Sequence, residues 1–290
     1  MGGFQKHGRL VSQVEVFDPA LDSWSTFSAP MGIGRRGLAC AVVEGLIYAL
    51  GGLDARLQVL ARAEAFDPSA GTWKMLPRMG SRRTGLAAVG VQKKIYALGG
   101  HNDLDGSLAS CEVYEPSVGE WRAFHPMQSC RSFLGAVAVS DVLYVLGGFN
   151  EHEVVHASME GFRILDFSEG PLWMPLPSMS AQRFKVGVAA ARKCIFAIGG
   201  MARSQGVDVA NFMEGYDIAA GMWTKLLPQP HLCSMSGVAS INECICVVGG
   251  ASERDTVLSQ TLVFDPVSET WTELADISVG RRSFALVGSV

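Results

Sequence analysis

The hexapeptide Ile95-Tyr96-Ala97-Leu98-Gly99-Gly100 places four apolar residues directly before a pair of glycines. The pattern recurs, with small changes, at 47–52, 143–148, 195–200 and 245–250, and a bare Gly2-Gly3 stands at the start of the chain. Successive glycine pairs are 49, 48, 48, 52 and 50 residues apart. Self-similarity at such a period is typical of solenoids and propellers. The sequence therefore predicts a repeat fold of six units.

The composition excludes several classes of protein. The net charge of -4 indicates neither a nucleic-acid partner nor an anionic membrane surface. Every apolar run is broken by glycines or charges, so we expect neither a membrane span nor a signal peptide. The seven cysteines are an odd number without a zinc-site spacing, which favours reduced thiols and a cytoplasmic protein.

Each unit can be divided into four strands, most clearly in the second unit. The first is the small apolar run 37–43, and the second, 46–50, ends at a glycine pair. Glycines at that point permit positive φ and a close approach of backbones. The third strand is 63–66, Asp67-Pro68 starts a turn, and the fourth strand is 73–76.

Four further markers keep step with the glycine pairs. Every tryptophan of the protein is used once per unit: Trp24, Trp73, Trp121, Trp173, Trp223 and Trp271. The third strand of each unit carries an aromatic residue: Phe17, Phe66, Tyr114, Phe162, Tyr216 and Phe264. Five of these follow a glutamate by two residues: Glu15, Glu64, Glu112, Glu160 and Glu214. An arginine follows most fourth strands: Arg35, Arg83, Arg131, Arg183 and Arg281.

Four short strands per unit without a helical period fit a β-propeller blade. With its double glycine, Glu-x-Tyr/Phe-Asp-Pro and spaced tryptophan, the chain resembles a Kelch-repeat propeller over essentially all 290 residues. The resemblance implies an all-β, six-bladed Kelch β-propeller with four antiparallel strands per blade. Residues 1–290 are expected to form this single domain, with glycine pairs at 2–3, 51–52, 99–100, 147–148, 199–200 and 249–250.

The two ends of the chain lead to a further expectation about the first blade. Residues 281–288 resemble the first strand of a blade, and in Kelch propellers the C-terminal strand commonly closes the first one. That would place 284–287 beside the strands that start near Val14 and Trp24. The strand that should precede Gly2 is missing, so we expect this blade to lack one strand and the chain to be a fragment or a short isoform.

The recurrent arginines can be interpreted in two ways. Arg35, Arg83, Arg131, Arg183 and Arg281 could ring one mouth of the channel as partner-binding residues, because guanidinium groups bind carboxylates in a bidentate manner. Alternatively, each could pair inside the propeller with a recurrent strand glutamate. Extra arginines near the same loops, among them Arg36 and Arg282, would add to a basic rim.

A second candidate set is the residue after each glycine pair, which in Kelch propellers points to the channel mouth and often touches a bound peptide. The predicted partner-binding residues in this set are Phe4, Leu53, His101, Phe149 and Met201, together with the adjacent Asn102 and Asn150. Such a mixture suits a protein contact better than a sugar site. The asparagines are also ordinary turn formers.

Two chemical motifs favour no catalytic or metal role. His152-Glu153-Val154-Val155-His156 spells H-E-x-x-H, but that zinc motif requires a helix and here lies in a loop between strands. The five tyrosines, which a copper oxidase would need, all fall at core strand positions. Cys130 lies beside Arg131, whose charge could lower the thiol pKa for redox sensing, but a cysteine is more often an inert small apolar residue. We expect no catalytic residue, metal or cofactor.

The resemblance implies a protein-binding module that holds a peptide or loop, possibly acidic, on its loop-built face. Similarity to BTB–Kelch proteins further implies substrate recognition for a cullin-RING ubiquitin ligase, with cullin reached only through an absent upstream BTB domain. Two alternatives remain: a scaffold for actin or another cytoskeletal or trafficking partner, and a sugar-acting enzyme of the propeller type. No nucleic acid and no membrane is expected as a partner.

Overall fold

The computed structural model describes residues 1–164, 172–203, 207–209, 212–231, 233–252 and 254–288. A single 3-10 turn, Lys6–Gly8, is assigned in these ranges, and the other regular elements are strands. The chain is therefore all-β, as predicted. No helix in the described residues is long and apolar enough to cross a membrane.

Units two to six each form a four-stranded antiparallel blade. The blade of unit two has β3 (Ala39–Val43), β4 (Leu46–Leu50), β5 (Ala63–Asp67) and β6 (Thr72–Met75). The blade of unit three has β7 (Ala87–Val91), β8 (Lys94–Leu98), β11 (Cys111–Glu115) and β12 (Glu120–Phe124). The blade of unit four has β13 (Gly135–Val139), β14 (Val142–Leu146), β15 (Met159–Arg163) and β16 (Met174–Leu176).

The last two blades follow the same order. The blade of unit five has β17 (Gly187–Ala191), β18 (Cys194–Ile198), β21 (Met213–Asp217) and β22 (Met222–Leu226). The blade of unit six has β23 (Gly237–Ile241), β24 (Cys244–Ala251), β25 (Val257–Asp265) and β26 (Thr270–Leu274). Small hairpins lie in the loops after the second strands of units three and five. They are β9 (His101–Asn102) with β10 (Gly106–Ser107), and β19 (Met201–Arg203) with β20 (Val207–Val209).

The prediction of six four-stranded blades is wrong, because the described residues form a propeller of five such blades. Unit one contributes only the two-stranded sheet of β1 (Glu15–Asp18) and β2 (Ser23–Thr26). The C-terminal segment 284–288 is not assigned as a strand. Its described main-chain link to unit one is made through Met1, whose amine and carbonyl bond to Ala285 at 2.8 and 3.1 Å. The segment therefore does not pair with β1 as predicted.

First strands of successive blades lie against one another, since β3 contacts β7, β7 contacts β13, β13 contacts β17 and β17 contacts β23. This arrangement requires small side chains on the inner strands. A methyl group on Gly90 would lie 2.2 Å from the carbonyl oxygen of Val42 in the neighbouring blade. The small-residue character of the first strands is thus a packing requirement of the central axis.

Each tryptophan sits opposite or beside the aromatic residue of the same unit, and all but Trp271 donate a hydrogen bond to the neighbouring unit. In unit three, Tyr114 and Trp121 are cross-strand partners with ring centroids 5.1 Å apart. The Trp121 indole N–H donates to the carbonyl of Pro77 in the preceding unit at 3.0 Å. The same inter-unit bond is made by Trp24, Trp73, Trp173 and Trp223. The predicted inter-blade role of these aromatics is confirmed.

Candidate functional site

The recurrent arginines are buried rather than open to the channel mouth. Arg35, Arg83, Arg131 and Arg183 are 0% exposed and Arg281 is 2% exposed. In unit three, the Arg83 guanidinium donates to the carbonyl oxygens of Gly99 and Ser110 at 2.8 and 2.7 Å. It also pairs with Glu112 at 3.0 Å. The analogous ion pairs are Arg35–Glu64, Arg131–Glu160, Arg183–Glu214 and Arg281–Glu15.

The partner glutamates hold the loop that leads to each arginine. Glu112 accepts the main-chain amides of Gly80 and Ser81 at 2.6 and 3.0 Å, in addition to its bonds from Arg83. Equivalent main-chain amides donate to the other glutamates: Gly32 to Glu64, Gln128 to Glu160 and Ser180 to Glu214. Burial lowers the pKa of Arg183 to about 10, and the Glu214 carboxylate opposes that shift. Each pair is therefore an internal clamp between a loop and a strand.

The blade of unit six shows what replaces the clamp. Cys233 stands where the other units have arginine, and Leu262 stands where they have glutamate. Both residues are buried in one apolar cluster. The arginine and the glutamate are thus replaced together. This supports the interpretation that each arginine pairs with a strand glutamate inside the propeller over a mouth-lining role. Because their side chains are enclosed, the five arginines offer a partner no surface in this structure, which corrects their predicted position.

The mouth of the propeller is instead built on the residues two positions beyond these arginines and, in unit six, beyond Cys233. One residue from each unit belongs to this ring: Gly37, Gly85, Phe133, Lys185, Met235 and Ser283. All six have positive φ, between 51° and 62°. Main-chain bonds join consecutive members, for example from the Phe133 amide to the Gly85 carbonyl at 2.7 Å. The ring therefore fixes its non-glycine side chains around a central cavity of about 110 Å³.

A second layer of residues surrounds the ring. Each residue just before a ring member forms a β-bridge with the residue that follows a glycine pair: Arg282–Phe4, Arg36–Leu53, Thr84–His101, Ser132–Phe149, Phe184–Met201 and Ser234–Ala251. We call the six ring residues and these twelve bridged residues the mouth. The predicted residues after the glycine pairs thus lie beside the ring.

Three half-buried cations of the mouth influence one another. The Arg36 and Arg282 guanidinium carbons lie 4.8 and 5.3 Å from the ring centroid of Phe4, within cation–π range. Burial lowers the pKa of Lys185, and the charges of Arg282 and Arg36 lower it further. Arg282 pairs with Asp255. Among the residues that the structure describes, neither Arg36 nor Lys185 has a carboxylate at ion-pair distance.

The opposite part of the mouth is aromatic. Phe133 stacks on Phe149 with centroids 5.7 Å apart, and Phe149 meets Phe184 edge to face at 5.3 Å. The Lys185 ammonium lies 5.4 Å from the Phe133 ring and 5.5 Å from the Phe184 ring. These four residues, with Glu153 and Val155, line a pocket of about 160 Å³, which we call the aromatic pocket. Lys185 therefore belongs to both parts of the mouth.

The two predicted asparagines hold the loops in which they lie. The Asn102 side chain is buried, accepts the amides of Leu104 and Asp105, and donates to the Arg82 carbonyl and to Asp105. Asn150 accepts the amides of His152 and Val154 at 3.0 Å. Their interpretation as turn formers is confirmed.

Sequence reasoning missed Phe133, Phe184 and Lys185 as mouth residues. A signal was present, because Arg35 and Arg83 are each followed two positions later by glycine, as in Arg83-Thr84-Gly85. Aligning the units on arginine would have shown Phe133 and Lys185 at positions where other units use glycine. A residue other than glycine is uncommon at positive φ, and such residues cluster at functional sites. Phe133 and Lys185 could therefore have been recognised as candidates.

The alternative chemistries receive no support from the described geometry. The H-E-x-x-H segment is a loop, as predicted, and the His156 ring bonds to the Cys130 carbonyl at 3.3 Å. Within the described ranges, no three His, Cys, Asp or Glu side chains are grouped as a metal site. Burial raises the pKa of the Cys130 thiol instead of the neighbouring arginine lowering it. The five tyrosines are buried core residues, as predicted.

A larger pocket, of about 530 Å³, lies away from the mouth in the groove between the blades of units two and three. Its lining includes the Arg83–Glu112 clamp and Trp121, whose indole already bonds to Pro77. These polar groups are engaged in holding the fold. The mouth is therefore the better candidate for recognition.

Comparison with known proteins gives consistent matches. Residues 85–287 match the model described as the KLHDC2/KLHL20/DRC7 Kelch-repeats domain, and residues 34–80 match the Kelch motif. Kelch-like protein 40b of Danio rerio is 37% identical over 82 residues, covering 28% of this chain and 13% of the relative. Kelch-like protein terF of Aspergillus terreus is 29% identical over 136 residues, covering 42% and 30%.

Two further matches concern a plant relative and a solved structure. An F-box/kelch-repeat protein of Arabidopsis thaliana is 36% identical over 81 residues, covering 26% of this chain and 21% of the relative. The chain thus spans less than a third of the length of each of these curated relatives. The solved structure titled "Structure of YjhT" superposes with a TM-score of 0.76 over 87% of both chains at 13% identity, a likeness of fold alone.

Proposed function

Since the chain belongs to the Kelch-repeat family, we propose that it is a protein-interaction module whose mouth binds an acidic segment of a partner protein. The observation that carries this proposal is the position of three cations on the mouth: Lys185 is a ring residue, and Arg36 and Arg282 stand next to ring residues, over Phe4. These cations are half-buried, and the like charges of Arg282 and Arg36 lower the pKa of Lys185. A carboxylate placed among them would relieve that repulsion.

The proposal differs from the sequence-based expectation in the residues that contact the partner. The buried Arg83 and its counterparts hold the loops, while Arg36 and Arg282 follow directly after two of them. Phe4 contacts both half-buried guanidinium groups in cation–π geometry. The clamp thus positions the next side chain of the loop for recognition.

A finer role is substrate recognition for a cullin-RING ubiquitin ligase. It is supported by similarity to Kelch-like proteins and to an F-box/kelch-repeat protein. In this proposal the partner is the ligase substrate, the chain itself catalyses nothing, and cullin is contacted through a BTB domain outside these residues.

The test is selection of a random displayed peptide library on the immobilised chain. We expect enrichment of Asp and Glu, lost in the Arg36→Gln/Lys185→Met double variant. Arg122→Gln, which removes an exposed arginine from the outer strand β12, is the matched control and should keep the enrichment. Selection of neutral or basic peptides, or the same acidic peptides by the double variant, would contradict the proposal.

Filamentous actin serves as a second probe. Co-sedimentation of the chain with actin that is equally strong for wild type and the double variant would favour the scaffold alternative and overturn recognition at the mouth. Absence of co-sedimentation, together with acidic enrichment in the library, supports the proposal.

A further inference from the structure

The aromatic pocket and the cations are parts of one surface, with Lys185 common to both. Its ammonium lies against the Phe133 and Phe184 rings. Arg36 and Arg282 belong to the same mouth, where they lie over Phe4, and their charges lower the pKa of Lys185. A ligand group that reaches Lys185 therefore lies next to an apolar recess, in a mouth that also holds two guanidinium groups.

The recess is suited to one ring-sized side chain. Its volume is about 160 Å³, and an apolar cavity of about 150 Å³ is enough to bind benzene. Phe149 presents its ring between Phe133 and Phe184, in stacked and edge-to-face contacts respectively. An entering aromatic ring can add a further contact of the same kinds, which aromatic pairs prefer.

We infer that the mouth recognises a two-part element in its partner: an aromatic side chain that fills the pocket of Phe133, Phe149 and Phe184, directly beside a carboxylate held by Lys185 and the two arginines. This inference rests on the proposed function and specifies the partner chemistry at the same site. The carboxylate can come from an acidic side chain or from a chain terminus, because both present the same oxygens.

Glu153 limits which aromatic segments can enter. Its side chain lines the aromatic pocket and already has an interaction of its own. A second carboxylate deep in the pocket would meet this like charge. The partner should therefore place its aromatic side chain in the aromatic pocket. Its carboxylate should point toward Lys185, on the side of the central cavity.

The experiment measures fluorescence anisotropy with short labelled peptides and the full chain. One peptide contains Glu-Phe with an amidated C-terminus, one contains Gln-Phe with a free C-terminal carboxylate on the phenylalanine, and one has neither carboxylate. Each is compared with its Phe→Ala counterpart. We expect the alanine peptides to bind about ten- to a hundredfold more weakly, as burial of a large apolar side chain predicts. Whichever carboxylate peptide binds identifies the source of the charge.

Protein variants provide the second arm. Phe149→Ala should reduce the preference for Phe over Ala in the peptide, while Leu104→Ala, an exposed apolar residue outside the aromatic pocket, should leave it unchanged. The peptide substitutions give a result even if Phe149→Ala fails to fold. Equal affinity of the Phe and Ala peptides with retained dependence on a carboxylate would overturn this inference alone. Loss of all dependence on a carboxylate would overturn the proposed function as well.

Discussion

At the scale of single residues, one residue type serves two purposes in this chain. Arg83 and its counterparts are enclosed and make hydrogen bonds with strand glutamates and main-chain carbonyls. Arg36 and Arg282 are the next residues after two such clamps, and their guanidinium groups lie over Phe4. A buried ion pair gives little net stability but makes loss of one partner costly. The clamps thus fix the loops whose next residues are available for binding.

The replacement seen in unit six leads to a test of the clamp. Arg83→Cys leaves Glu112 buried without its cation, so we expect unfolding to require about 3–5 kcal/mol less free energy. Glu112→Leu should be similarly costly, because it leaves Arg83 buried without its carboxylate partner. The double variant Arg83→Cys/Glu112→Leu copies the Cys233 and Leu262 pair and should lose clearly less than the sum of the two single losses. Urea denaturation of the four proteins measures this; strict additivity would show that the two residues do not act as a unit.

At the scale of the strand and its loop, the glycine pairs are where one unit meets the next. A Cβ on Gly99 would lie 2.5 Å from the Arg131 carbonyl oxygen, and its φ of +58° disfavours other residues. The pair therefore marks the point where the second strand ends and the main chain of the following arginine comes closest. This contact explains why the pattern recurs even where the preceding apolar residues vary.

The strand scale has its own test. Gly99→Ala should cost about 3 kcal/mol, from positive φ together with collision with main chain. Gly119→Ala is the matched control, because Gly119 has φ +79° but no atom within 4 Å of an added Cβ, so it should cost about 1–2 kcal/mol. Thermal and urea unfolding compare the two. Equal losses would mean that the close approach at Gly99 adds nothing.

At the scale of the whole molecule, the repeat period predicted the strands, the inter-blade tryptophans and the order within each blade. It did not predict that unit one contributes only two paired strands, because a sequence repeat marks residues and not the hydrogen bonds they complete. It also left the arginine assignment open. Whether Arg131 faces solvent or Glu160 depends on contacts with a residue 29 positions away, which local patterns do not reveal.

The mouth was harder to predict because the ring brings together one residue from each unit of the chain. Lys185 and Arg282 are 97 residues apart in sequence, yet the charge of Arg282 lowers the pKa of Lys185. Only closure of the propeller produces this cluster. Its chemistry therefore belongs to the molecule as a whole and not to any single repeat.

The most direct test of mouth recognition is a double-mutant cycle between the protein and its ligand. Wild type and Lys185→Met are each titrated calorimetrically with the most strongly enriched acidic peptide and with its Glu→Gln counterpart. If Lys185 holds that carboxylate, the two changes should be non-additive by about tenfold in affinity, or about 1.4 kcal/mol. Additive losses, with the Glu→Gln change costing the same in both proteins, would contradict recognition of an acidic group at Lys185.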